Sequence, residues 1–231
     1  MFNQFKLRIL ILTSGLFFLS GNVFSQTNED CLSCHEDKGL TKIIQGKTIS
    51  LFADKNVLGN SAHKNIACAA CHADASVSEF PHPENLQPVN CANCHYDAQI
   101  QFFTGVHGQA LKLNANDAPD CKECHGSGHN ILLHTSPKSP TYKLNIPILC
   151  GKCHKEGAPV ARIYNVTREN ILENYSENIH EKGLFERGFL VSATCSDCHG
   201  SHLILPHSSP NSSTSGQKIA TTCMKCHARI K

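Results

Sequence analysis

The chain has 231 residues, enough for one domain or two small ones, with 21 Lys and Arg against 19 Asp and Glu. No basic patch or charge run stands out, which excludes a nucleic-acid binder. Fourteen cysteines are the departure from ordinary composition that needs explaining.

In chain order, residues 1–25 come first. Lys6 and Arg8 form a basic start, an apolar run extends from Ile9 to Phe24, and Ser25 precedes Gln26. This is the layout of a secretory signal peptide cleaved after Ser25. The run is short for a bilayer span, and Thr13, Ser14, Gly15, Ser20 and Gly21 dilute it. The alternative is an uncleaved anchor, the only source of membrane contact. Export places the mature chain in the periplasm or outside the cell, and losing the leader takes its formal charge from +2 to 0.

In an exported chain, so many cysteines would ordinarily form a disulfide framework. Here they fall into seven copies of one pattern: CLSCH at 31–35, CAACH at 68–72, CANCH at 91–95, CKECH at 121–125, CGKCH at 150–154, CSDCH at 195–199 and CMKCH at 223–227. The pairs Cys31/Cys34, Cys68/Cys71, Cys91/Cys94, Cys121/Cys124, Cys150/Cys153, Cys195/Cys198 and Cys223/Cys226 use every cysteine. Two thiols three residues apart project from one helical turn at the spacing of the haem vinyl groups, and a following histidine sits under the iron. C-x-x-C-H is the attachment signature of c-type haem. The proximal ligands are then His35, His72, His95, His125, His154, His199 and His227. Zinc is the alternative for C-x-x-C pairs, but it does not require a histidine after each one.

With these motifs the chain resembles the multihaem c-type cytochromes, in particular periplasmic electron carriers with paired C-x-x-C-H motifs. The resemblance covers essentially the whole mature chain. It implies covalent haem c, closely packed haems and electron transfer, with redox proteins as partners.

The second axial ligand sets much of a haem's potential. Met1 leaves with the leader and Met224 is confined within its own motif, so methionine is excluded. Eight histidines remain for seven irons: His63, His82, His107, His129, His134, His180, His202 and His207. Mostly bis-histidine, low-potential haems follow. His129 lies four residues after His125, and His202 three after His199. Neither segment can pass around its own porphyrin, so each histidine is expected to ligate a neighbouring haem. In small tetrahaem relatives a histidine just past the motif does so. Gly126, Gly128 and Gly200 let the backbone turn there. His63, His107 and His180 each precede a paired motif; a helix from Thr167 as cap to Gly183 as stop is expected to deliver His180. His82, His134 and His207 follow their proximal histidines by eight to ten residues, and at least one of His134 and His207 is surplus.

The chain also repeats. His107, Cys121, His129 and Cys150 recur as His180, Cys195, His202 and Cys223 at offsets of 73 or 74 residues, and Ser136-Pro137 recurs as Ser209-Pro210. After the signal peptide (1–25) come a leading single-haem segment (26–60) and three two-haem units (61–100, 101–165 and 166–231). The mature chain has about 29 residues per haem, too few for an apolar core beside each. The expected fold is mainly α with much irregular structure, packed around haems. Helices are expected at the motifs and near 96–111 and 168–182, with a small β-hairpin near residues 42–52.

The expected function is a heptahaem electron carrier of anaerobic respiration, its partners including a membrane quinol-oxidising complex. One alternative is a multihaem reductase of nitrite, hydroxylamine or a sulfur oxyanion, with one open iron; the short segment at Cys31 makes that haem the expected exception. The other is a subunit of an extracellular haem filament.

Overall fold

A computed structural model describes residues 26–76, 80–158 and 170–228; the expected leader and Thr167 lie outside them. Helix α1 (Asn28–His35) starts in a capping box, Thr27 and Asp30 each accepting the other's backbone N–H. Strands β1 (Thr41–Ile44) and β2 (Lys47–Ser50) pair antiparallel with Ile44 opposite Lys47. The two residues between them, Gln45 and Gly46, both have positive φ (50° and 76°), as a two-residue hairpin turn demands. Asp54 caps α2 (Lys55–Asn60) through the N–H groups of Asn56 and Val57. The short α3 (Cys68–Cys71) takes its cap from far away, the Cys68 N–H donating to Asn28 Oδ1 at 2.8 Å.

Helices α4 (Ala92–Thr104) and α5 (Val106–Lys112) are two pieces, where the sequence predicts one near 96–111. The break at Gly105 has a packing cause: a Cβ there would lie 3.0 Å from the His202 carbonyl and from Ile204 backbone atoms. After α6 (Cys121–His125) and α7 (Ile146–Gly151) come α8 (Ile171–Ser176) and α9 (Ile179–Glu181). The helix predicted over 168–182 is therefore divided too. His180 rides on the second piece, capped by the Asn178 side chain at 2.8 Å from the His180 N–H. Gly183 does not stop it, for a wide turn continues over Lys182–Glu186 with Gly183 buried inside. A Cβ at Gly183 would come within 2.5 Å of Ser192 Oγ, so close approach is what this glycine supplies. The last helices are α10 (Cys195–His199) and α11 (Ile219–Met224).

The repeat extends to hydrogen bonds. Helices α6 and α10 both begin in capping boxes, Asp120 with Glu123 and Thr194 with Asp197. Both end on a glycine of positive φ, 87° at Gly126 and 82° at Gly200. Buried Ser139 donates to the Leu132 carbonyl and shares a hydrogen bond with Thr141. Buried Ser212 does the same with Leu205 and Thr214, at the same distances of 3.3 and 3.0 Å. Ser212→Ala removes this tie and is expected to cost about 1 kcal/mol, read from the midpoint of urea unfolding. Gly126→Ala is expected to cost about 1–3 kcal/mol in the same measurement, because the backbone there suits only glycine. Its Cβ would also lie 2.8 Å from Asn130 Oδ1.

The polypeptide builds almost no core of its own. Among the described residues the buried apolar side chains are Leu32, Pro147, Ala158 and Leu184, whereas Leu113 and Val191 are more than 80% exposed (82% and 84%). No helix among the described residues is long and apolar enough to cross a membrane.

Candidate metal centres

No two of the described cysteines are joined in a disulfide. In α6 and α10 the capped first turn holds both thiols, in α1 they lie up to a turn further on, and in all three the histidine ends the helix. The cap is thus part of the site, fixing the turn from which thiols and imidazole project. Asn28 does this from 40 residues away for Cys68. Ser213 Oγ donates to the Cys198 carbonyl at 2.5 Å, anchoring the end of α10.

The helix expected at each motif is incomplete at the fifth and the last. Helix α7 ends at Gly151 and α11 at Met224, so Cys153, His154, Cys226 and His227 lie beyond them. A turn of the tighter kind carries the chain on, the Cys226 N–H donating to the Cys223 carbonyl at 3.2 Å. Cys94 is held to Cys91 by the same bond at the same distance.

The imidazoles meet in twos. Ring centres lie 5.9 Å apart for His35–His82, 6.1 Å for His63–His95 and 6.1 Å for His72–His129. They lie 5.9 Å apart for His107–His154, 6.0 Å for His125–His202 and 6.0 Å for His180–His227. Each of the six pairs joins one motif histidine to one histidine outside the motifs. A metal–imidazole bond of about 2 Å puts the ring centre about 3 Å from the metal, so two imidazoles on opposite faces of one metal stand about 6 Å apart. The donor set therefore fits a bis-histidine iron at all six places. Among the described residues no three His, Cys, Asp or Glu side chains converge as a metal group.

Pairing follows a rule. The histidine ahead of a unit reaches past the first motif to the second: His63 to His95, His107 to His154, His180 to His227. The histidine behind a first motif reaches back to an earlier segment: His82 to His35, His129 to His72, His202 to His125. A repeated joint sets the two kinds side by side. The Ala62 N–H donates to the Ile131 carbonyl at 2.6 Å, and the Val106 N–H to the Ile204 carbonyl at 2.8 Å. In each case the donor directly precedes a forward-reaching histidine, and the acceptor lies two residues beyond a backward-reaching one.

His134, His199 and His207 complete the fifteen. Among the described residues none of the three has an imidazole against it, and His134 and His207 are solvent-exposed. The site at Cys31, predicted to be the exception, carries the His35–His82 pair; the motif histidine without a partner is His199.

Thiols of neighbouring motifs lie near enough to act on one another electrostatically: Cys31 on Cys68, Cys91 on Cys121, Cys153 on Cys124, Cys195 on Cys150 and Cys223 on Cys198. Between the second and third motifs the link is the five-residue span from His63, facing His95, to Cys68. Three of these approaches cross the unit boundaries drawn from the sequence, so the units interlock.

Spacing treats the two thiols of a motif as equivalent attachment points, and the structure does not. Cys34, Cys71, Cys94 and Cys226, each the second thiol of its motif, take no part in the approaches just named and are exposed. In these four motifs the first sulfur is the one that lies near a thiol of another motif, although Cys91 and Cys223 are exposed as well.

Burial pushes the imidazoles of His72, His107, His125, His154 and His199 down from their ordinary range. That favours the neutral form, which is the one that binds metal. Burial also works to raise Asp197, but the Thr194 hydrogen bonds and the ion pair with Lys143 at 3.2 Å outweigh it and hold the carboxyl low.

Asn28, Ser213, Ser139 and Ser212 escape a sequence reading that looks only for thiols and imidazoles. For the last two a signal existed, since both belong to the 73-residue repeat. No protein-family model, curated protein or solved structure matches the chain.

Proposed function

We propose that the chain is a heptahaem c-type cytochrome that passes electrons along a row of closely spaced, mostly bis-histidine haems outside the cytoplasm. The observation that carries this reading is the set of six imidazole pairs, each spaced for one iron and each joining a motif histidine to a non-motif one. The thiol pairs hold the porphyrins covalently and the imidazoles close the axial positions. When bound, haem supplies one-electron redox chemistry, while the protein supplies position, ligands and dielectric. Neutral imidazole on both faces favours a low potential over one raised by methionine. The nearness of thiols from different motifs supports closely set attachment points, as electron hopping needs. The scarcity of buried apolar side chains fits porphyrin faces serving as the core. A low-potential carrier of this kind suits anaerobic respiration, with a membrane quinol-oxidising complex as donor and a further redox protein as acceptor.

The test is the intact mass of the exported protein, together with its reduced spectrum. Seven covalent haems and a sharp reduced α band are expected; a mass equal to the bare polypeptide defeats the reading.

Charge supplies a second expectation. Fourteen propionates and seven ferric centres would take a neutral mature chain to a formal −7, and full reduction to −14. Electrons added to such a charge raise nearby pKa values, so each electron draws protons and the midpoint potentials fall as pH rises. Redox titration at two pH values reads this directly, and identical midpoints would remove it.

A further inference from the structure

We infer that the iron held by Cys195, Cys198 and His199 keeps one axial face open and binds small exogenous ligands of the carbon monoxide, nitric oxide and cyanide class. The inference rests on the haem reading above and adds which metal departs from the pattern.

The first ground is that His199 is the one motif histidine without a facing imidazole. Its neighbour His154 lies close enough to be influenced electrostatically, but that ring is already set against His107 at 5.9 Å. The two histidines outside all pairs are solvent-exposed, and neither meets His199. Methionine does not replace them, because Met224 lies inside its own motif.

The second ground is the joint. At Ala62 and Val106 the backbone before a forward-reaching histidine is covered by a segment that brings a backward-reaching histidine with it. The third equivalent position is Ile179, just before His180. There Ile179 is 66% exposed, and no carbonyl among the described residues accepts its N–H. Among the described residues, no segment brings an imidazole to His199 or a carbonyl to the Ile179 N–H.

The surroundings suit a working site. The α10 turn is held rigidly by the Thr194–Asp197 capping box, the Lys143 ion pair and the Ser213 hydrogen bond to the Cys198 carbonyl. Its thiols lie near those of both neighbours, Cys195 near Cys150 and Cys198 near Cys223. An open iron here lies between the His107/His154 and His180/His227 sites, and receives electrons from either side.

The experiment uses the exported holoprotein, with its haem count first fixed by intact mass. Dithionite-reduced protein titrated with carbon monoxide should bind one equivalent per seven haems, and the ferric protein should show one high-spin signal in EPR. His134→Ala and His207→Ala should leave both readings unchanged. Cys195→Ala/Cys198→Ala should carry six haems and lose both. Should that variant not be exported, His199→Met keeps both thioethers and should shift the spectrum of the carbon monoxide complex. Seven low-spin irons overturn the inference, whether a lysine, His134 or a second copy supplies the ligand. So does carbon monoxide binding that survives loss of the Cys195 haem, or a spectrum that His199→Met does not move. A protein without haem would instead sink the functional reading itself, and the mass distinguishes the two failures.

Discussion

Replacing His129 with alanine should convert one iron from low to high spin and raise carbon monoxide binding by one equivalent. The other five paired sites should stay as they were. His129 is exposed and four residues past His125, a position where a histidine ordinarily does nothing more than meet water. The structure sets its ring 6.1 Å from His72, a separation that fits one metal between them. Removing an exposed ring leaves no cavity, so folding should survive. The affected haem belongs to Cys68 and Cys71, more than fifty residues upstream of the substitution. His134→Ala, five residues further on, is the matched control and should change nothing. If both variants behave alike by EPR and carbon monoxide titration, the pairing rule is wrong.

The second large effect concerns the chain without haem. Made in a compartment that cannot attach it, residues 26–231 should show little helix by circular dichroism and no cooperative thermal transition. The described residues bury four apolar side chains, one of them a proline, while Ile43, Leu113 and Val191 stay in water. So small a buried surface cannot offset the conformational entropy of ordering the chain. The helices cannot help, because most span eight residues or fewer and are marginal in isolation. Folding free energy must therefore arrive with the cofactor. A cooperative melt of the unmodified chain would refute this and imply a core of another kind.

How far the sequence could be read depends on whether the cause is local. The hairpin at Gln45-Gly46 is legible because alternation and the turn residues lie together. The capped motif turns are legible for the same reason, as with Asp120 and Glu123 around CKECH. The breaks at Gly105 and after Ser176 are not, because one follows from the approach of Ile204, about a hundred residues away, and the other from Asn178 capping afresh. For the candidate site, spacing names the thiols and the histidines, and sterics exclude His129 from its own porphyrin. Spacing does not say which neighbour receives it, nor that Cys91 lies near the thiol of another motif. Those choices depend on long-range contacts such as the Ala62–Ile131 and Val106–Ile204 joints, which exist only in three dimensions. The same kind of cause bears on Cys31: a short leading segment looks poor in ligands until His82 is seen to reach back to His35.

The reciprocal borrowing of imidazoles has a consequence for modularity. Excise residues 101–165 and the fragment can complete only one of its two centres, since His107 meets His154 internally. His125 would wait for a ring borne by the next stretch of chain, and His129 would offer itself to a vanished recipient. The stretch that recurs along the chain is thus not the stretch that can stand alone. Solenoid repeats add or shed copies at little cost; a clasped array of this kind should melt as a whole and resist shortening by recombination.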